Sequence, residues 1–211
     1  MSKQPSYARM ALLDVLDEFA SNEPVPGGGS AAALAGAIGT SLLIMVAGLA
    51  KTRTGTPEEV ADLAEASSRL RPLRDALLLL VDEDSTAYAA VVKAMQLPKD
   101  NDREKTERRA AIDTTMRLAI DVPMETMRCC QQVLRGGLVV AEGGNVNAMT
   151  DTAIGIELLL TGLRGAGMNV DVNVRSVTDS AYADRIREER RELEAEGHAD
   201  ARRAREYLLR S

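Results

Sequence analysis

Aromatic side chains are nearly absent from this chain: 2 % of 211 residues, with no Trp and one Phe, Phe19. A core without them must be filled by Ala, Leu, Val, Ile and Met, a palette that favours helices over strands. Histidine is almost missing too. His198 is the only one, so proton transfer in any active site here falls mostly to carboxylates, Lys or Tyr. The two cysteines, Cys129 and Cys130, are adjacent; they make neither a long-range disulfide nor a zinc site, and they suit a reduced cytoplasmic protein. Positive charge is in deficit, 26 Lys and Arg against 32 Asp and Glu for a net charge of −6, which argues against nucleic acid or an anionic membrane surface as partner. No repeat or low-complexity linker divides the chain, and 45 % apolar residues fill one core. The expectation is a single all-α domain over residues 1–211.

What is present is a long stretch without charge, from Val25 to Ala50. It opens on Pro26-Gly27-Gly28-Gly29-Ser30 and continues as an Ala-, Gly- and Ser-rich run. A helix that is apolar on every face is buried in a protein core or in a bilayer. The length suffices for a membrane span. However, no Trp flanks the run, basic residues (Lys51, Arg53) lie on one side only, and small residues outnumber Leu and Ile. Acidic Asp14, Asp17, Glu18 and Glu23 precede it, unlike a cleaved signal peptide. The reading is a buried central helix from about Ala31 to Ala50, capped by Ser30, with a multi-helix bundle packed around it and no membrane contact.

Around this helix the apolar periodicity predicts a short amphipathic helix over ~7–21. Thr56-Pro57-Glu58-Glu59 is a capping box with Pro at the first helical position; the helix it opens runs to about Met95, kinked or broken at Pro72. Asn101 and Glu104 start another that ends near Ile120, and Pro123 opens the next, which stops at or a little beyond Gly136-Gly137. A loop at Gly143–Asn147 precedes a second apolar helix over ~148–163. Asn169–Val174 alternates as an extended segment or begins a helix. A charged helix follows from about Thr178, interrupted near Gly197-His198.

Four constellations have chemical potential. The glycine turn reads either as a backbone cradle for a ligand or as a sharp turn into a crowded helix. Asp82-Glu83-Asp84 interrupts an apolar helical pattern; Leu77, Leu80, Val81 and Asp84 share a face, which turns Asp84, and with it Tyr88, inward. A buried carboxylate has a catalytic task or caps another element. Asn145, Asn147 and Asp151 surround one helix start, as ligand contacts or with Asn147 as a plain N-cap. Lys51 and Arg53 follow the central helix, where they neutralise an anionic ligand or favour the helix C-terminus.

Pro24-x-Pro26-Gly27-Gly28-Gly29-Ser30, Met45-Val46, Asp82-Glu83-Asp84, Leu97-Pro98-Lys99, Glu104-Lys105, Val122-Pro123, Gly144-Asn145-x-Asn147, Asp151 and Asn169-Val170 occur in an order that resembles the cyclodeaminase/cyclohydrolase family. That family comprises the cyclodeaminase half of formiminotransferase-cyclodeaminase and the stand-alone methenyltetrahydrofolate cyclohydrolases. The resemblance spans nearly the whole chain. It implies a helical bundle, a homodimer or higher homo-oligomer, and a folate bound near Pro26–Ser30, with no cofactor beyond the tetrahydrofolate substrate and no metal. It also implies Asp82, Asp84 and Asp151 as acid/base candidates, Asn145 and Asn147 on the pterin or one-carbon unit, and Lys51 or Arg53 on the glutamate tail. Many members carry a Gly-Lys-Lys-Lys-Tyr-like segment where this chain has Lys51-Thr52-Arg53-Thr54-Gly55. The implied activity is hydrolysis of methenyltetrahydrofolate; the alternatives are formiminotetrahydrofolate cyclodeamination and a non-catalytic folate-binding or scaffold oligomer.

Overall fold

The computed structural model describes residues 6–209, and all regular structure among them is helical. A 3-10 turn, Tyr7–Arg9, and a short helix α1, Leu12–Phe19, lead to α2, Gly28–Ala47. Four long helices follow: α3 (Pro57–Met95), α4 (Asp102–Gly143), α5 (Met149–Asn173) and α6 (Ser180–Leu209). The expected all-α bundle is what the chain forms. α2 is wedged between α5 and α3, α4 closes the back of that pair, and α6 lies across α4 and α5.

The helix starts follow local chemistry. Thr56 accepts from the backbone N–H of Glu59, with Pro57 at the first helical position. Asn101 accepts from Glu104 N in the same way. Glu59 reaches further back than a capping box requires: its carboxylate gathers the N–H groups of Thr54 and Gly55 and the Thr52 hydroxyl. That folds the connector after α2 into a knot, and Gly55 supplies the positive φ of 77° the knot needs.

Several breaks expected from the sequence do not occur. α3 is continuous through Pro72, whose solvent-facing position leaves the carbonyl that its missing N–H cannot serve open to water. α4 runs through Pro123, and here the physical reason is specific. The carbonyl orphaned by Pro123 is that of Ala119, and the Asn173 side-chain amide donates to it at 2.7 Å. Asn169–Asn173 is therefore not extended; it is the last turn of α5. Gly197 does not interrupt α6 either. A Cβ there would sit 2.4 Å from Leu163 Cδ2, so the glycine lets α6 press onto the core.

α2 also departs from expectation, beginning at Gly28 with Gly27 as N-cap, so Ser30 is inside the first turn and not its cap. It is long and apolar enough to cross a bilayer, yet 61 % of that window is buried by the rest of the chain. The burial is one-sided: Ala31, Ile38, Ser41 and Met45 remain exposed. The buried side is joined to α5 through glycine. A Cβ on Gly39 would lie 2.6 Å from Gly155 O, and one on Gly162 would lie 2.8 Å from Ala32 O.

This contact makes a prediction against helix propensity. Alanine is the better helix former by about 1 kcal/mol, but Gly39→Ala forces backbone apart and is expected to destabilise by about 1–3 kcal/mol. Gly136→Ala, where only a Leu70 methyl at 3.1 Å must turn aside, is expected to be neutral or stabilising. Urea midpoints of the two variants decide it; equal effects would mean the α2–α5 contact has slack.

Candidate functional site

The first turn of α2 faces the middle of α3, and Asp84 is what it meets. Asp84 Oδ2 accepts from Ser30 N at 2.9 Å and lies 3.0 Å from Ser30 Oγ. Oδ1 is pressed against Gly29, where a Cβ would fall 2.0 Å from it. Of the three glycines only Gly29 is demanded in this way, since Cβ atoms on Gly27 and Gly28 would find ordinary contacts. The glycine turn exists to let a carboxylate approach the helix start. Ser30 Oγ also lies 2.9 Å from Val81 O and 3.2 Å from Ser85 Oγ. Its hydroxyl therefore has a partner whether Asp84 is charged, taking the hydroxyl proton, or neutral, leaving that proton to Val81 O.

Burial raises the Asp84 pKa above the ordinary carboxylate value, and the two hydrogen bonds from Ser30 oppose that rise without cancelling it. Asp84 thus sits half-buried with increased proton affinity, at the wall of a cavity of about 390 Å³. Val25 and Gly27–Gly29 form one side, Tyr88, Val91 and Met95 of α3 another, and Met116 and Ala119 of α4 with Asn169 and Asn173 of α5 the rest. The two amides are i and i+4 on one face. Asn169 Nδ2 is tied to Gly165 O at 2.9 Å and Asn173 Nδ2 to Ala119 O. Each amide is held by its nitrogen, which leaves its oxygen as an acceptor. An apolar slot with one carboxyl and two fixed carbonyl acceptors suits a flat, donor-rich or cationic heterocycle.

Other residues singled out in the sequence are placed elsewhere. Asp82 points to the N-terminal turn, accepting from Ser6 Oγ at 2.6 Å and Tyr7 N at 2.7 Å; capping another element, the alternative raised for Asp84, is what its neighbour Asp82 does. Pro26, after a cis Val25–Pro26 bond, is buried beneath the glycine turn. Lys51, Arg53, Asn145, Asn147 and Asp151 gather at the opposite end of α2. There Arg53 N donates to Gly143 O at 2.9 Å and Arg53 Nη2 to Ala141 O at 3.1 Å. Asn145 Oδ1 accepts from Asn147 N at 2.9 Å, so Asn145 is the cap and Asn147 lies exposed in the turn that follows. Asp151 is in the first turn of α5. α2 has 20 residues, which at ~1.5 Å each separates this group from Asp84 by about 30 Å within one chain. The expected site is thus two clusters.

Asn173 and Met116 were not foreseen in the sequence, and Asn169 entered only as part of a motif. Reading Asn169–Val174 as helix would have put both asparagines on one face.

A family profile described as formiminotransferase-cyclodeaminase matches residues 11–192. A Methylorubrum extorquens protein named methenyltetrahydrofolate cyclohydrolase is 38 % identical over 184 residues, covering 87 % of this chain and 88 % of that protein. The formimidoyltransferase-cyclodeaminase of Rattus norvegicus is 31 % identical over 174 residues; the aligned part is 81 % of this chain but 31 % of that protein. The chain therefore spans about a third of the length of such relatives. A crystal structure of formiminotetrahydrofolate cyclodeaminase from Thermotoga maritima superposes with a TM-score of 0.85 over 95 % of this chain and 96 % of the other, at 24 % identity. That likeness concerns the fold alone.

The Asp84 environment has a measurable sign. Because its folded pKa lies above the unfolded value, the folded chain binds more protons between the two. This group's contribution to stability is lost as pH rises from the ordinary 3.8 through the folded pKa. Asp84→Asn keeps an acceptor for Ser30 and has no charge to bury. It is expected to raise the urea midpoint at pH 7, with the gain shrinking towards acid pH. A gain that grows towards acid pH would show the carboxylate to be stabilised by its surroundings.

Proposed function

The chain belongs to the formiminotransferase-cyclodeaminase family, and on that footing we propose that it hydrolyses 5,10-methenyltetrahydrofolate to 10-formyltetrahydrofolate in the Asp84 cavity. One observation carries the reading: a carboxyl of raised proton affinity, held by Ser30 against Gly29, on the wall of a cavity with two fixed amide acceptors. The relatives' names bound the chemistry to folate cyclohydrolase or cyclodeaminase enzymes.

In the substrate the one-carbon unit is a cationic amidinium joining N5 and N10. An ionised Asp84 stabilises that cation and orients a water towards its carbon. As the C–O bond forms, Asp84 accepts a proton from the water, a transfer its raised pKa favours. The tetrahedral adduct then breaks its C–N5 bond. Asp84 returns its proton to N5 as that nitrogen leaves, the second hydroxyl proton passes to solvent, and the formyl group stays on N10. Through both transfers the Ser30 hydroxyl turns between Val81 O and Asp84. Asn169 and Asn173 offer their carbonyl oxygens to the amino and ring N–H groups of the pterin, while Tyr88, Met95 and Met116 supply apolar walls.

Cyclodeamination would use the same groups: N10 attacks the formimino carbon and a proton accompanies the departing ammonia. The hydrolase is favoured because the relative so named is 38 % identical along most of its length, whereas the deaminase matched over a similar length is 24 % identical. Divergence at Lys51-Thr52-Arg53-Thr54-Gly55 from the segment many family members carry is the feature that would favour a non-catalytic oligomer. In the structure that segment is distant from Asp84 within the chain, so its divergence leaves the cavity intact.

The experiment follows methenyl absorbance against spontaneous hydrolysis, then repeats the assay with formiminotetrahydrofolate. Loss of methenyl absorbance well above background is expected, with a reduction of about 10²–10⁴-fold in kcat for Asp84→Asn and near-normal turnover for Asp82→Asn. Methenyl absorbance and ammonia appearing from the formimino substrate would move the assignment to the deaminase. Silence with both substrates in folded protein would refute the enzymatic reading.

A further inference from the structure

Beyond Ser30 two further hydroxyls are buried, and neither lines the cavity. Ser85 Oγ lies 3.2 Å from Ser30 Oγ, and the Tyr7 hydroxyl is hydrogen-bonded to Ser85. With Ser30 Oγ 3.0 Å from Asp84 Oδ2, four side chains form one line: Asp84, Ser30, Ser85, Tyr7. Fractional exposures of 0 % for Ser30, 1 % for Ser85 and 6 % for Tyr7 leave little room for water to break it. The far end is anchored. Asp82 accepts from Ser6 Oγ and Tyr7 N, and Asp82 and Ser85 are i and i+3 on one face of α3. That interval is about 4.5 Å along the helix axis, a distance a tyrosine side chain spans. Clamping the Tyr7 backbone at Asp82 therefore delivers its hydroxyl to Ser85. Asp82→Asn keeps an oxygen for Tyr7 N, so the line survives that substitution.

We propose that Tyr7 and Ser85 are positioning residues for Asp84, donating in series so that Ser30 presents its hydroxyl to the ionised carboxylate. With Asp84 ionised, Tyr7 donates to Ser85, Ser85 to Ser30, and Ser30 to Oδ2. Each donation polarises the next, a cooperative gain of roughly 10–30 % per bond in a low-dielectric interior. A hydrogen bond to the charged form favours that form, so the line opposes burial, which pushes the same carboxyl up. When Asp84 takes a proton from the attacking water, Ser30 turns to Val81 O, and Ser85 and Tyr7 keep their own contact. No proton travels along the line; each hydroxyl only turns. Its use is to hold the carboxyl where it can both take a proton and return it.

The reaction so served rests on the folate reading; the line itself does not. Few titratable groups face it. Asp82 and Glu18 act on Tyr7, and Tyr88 shares the cavity wall with Asp84. α2 brings Gly29 and Ser30, while α4 and α5 bring Met116, Ala119, Asn169, Val172 and Asn173, none of which titrates. Asp82 and Glu18 do not act on Asp84 directly, and both are present in every variant below.

The test reads Asp84 in the substrate-free protein, by carbon-13 NMR titration of its side-chain carboxyl, with the resonance assigned through Asp84→Asn. Ser85→Ala severs the line and is expected to raise the titration midpoint by about half a pH unit. Tyr7→Phe removes only the far hydroxyl and should raise it by less. The double variant should match Ser85→Ala alone, because a donor behind a break has no effect. A midpoint unmoved or lowered by Ser85→Ala, or shifts that add in the double variant, would overturn the proposal. A merely structural role lowers the urea midpoint without moving the carboxyl. Should one single variant not fold, the shift of the other decides alone. In the methenyl assay the acid limb of kcat should move up in the same order. Shifted carboxyls in a protein without turnover would refute the activity and keep the line. An active enzyme whose carboxyl and acid limb stay in place would keep the activity and overturn the line.

Discussion

The fold depends on how closely two helix backbones approach. Between α2 and α5 glycine faces glycine, with a Cβ on Gly155 falling 3.0 Å from Gly39 O and one on Gly162 falling 2.8 Å from Ala32 O. Contact at that range replaces interlocking side chains with backbone against backbone, and it permits essentially one depth of seating. Seated there, α2 points its first turn at α3, and the Asp84–Ser30 contact follows. Were α2 to ride outward by one methyl group, the carboxylate would lose both of its donors.

That carboxylate is an economical answer to a chain with a single histidine. Burial lifts its proton affinity, Ser30 restrains the rise, and Gly29 leaves room for the approach. Each effect needs the other two. A bulkier residue at position 29 would expel the carboxylate, and loss of Ser30 would leave a half-buried charge with no donor. The same economy appears across the cavity, where Asn173 repairs the hydrogen-bond ladder broken by Pro123 and presents its remaining oxygen to the space beside it. A defect in one helix fixes a binding group on another.

The architecture was legible because its signals are local. The Thr56 and Asn101 caps, the uncharged run and the aromatic-poor composition each act over a few residues, and each was realised. The inward turn of Asp84 was legible for the same reason, being a matter of spacing along one helix. What could not be read depends on distant partners. Both internal prolines look like helix breaks until solvent is found beside Pro72 and Asn173 beside Ala119. Spacing turns Asp84 inward, but it does not show that Asp82 meets Ser6 and Tyr7 N while Asp84 meets Ser30. Lys51 and Asp151 look like neighbours of the glycine turn because they share a ligand in expectation; the length of α2 puts them at the other end. The open side of α2 was hidden by its own composition, since a run of apolar residues gives no sign of which stripe its own chain covers.

The composition of α2 also bears on how the chain is made. α2 emerges from the ribosome long before α5, its closest partner, and in that interval it is an uncharged segment of membrane-spanning length. Helices rich in Leu and Ile are the ones that partition into lipid, and each such residue adds to the drive. Gly and Ala at the α5 contact surrender part of that drive while gaining the close approach. The residues that admit α5 therefore also make α2 a poor substrate for insertion, and give a nascent chain time to finish the helix that will cover it.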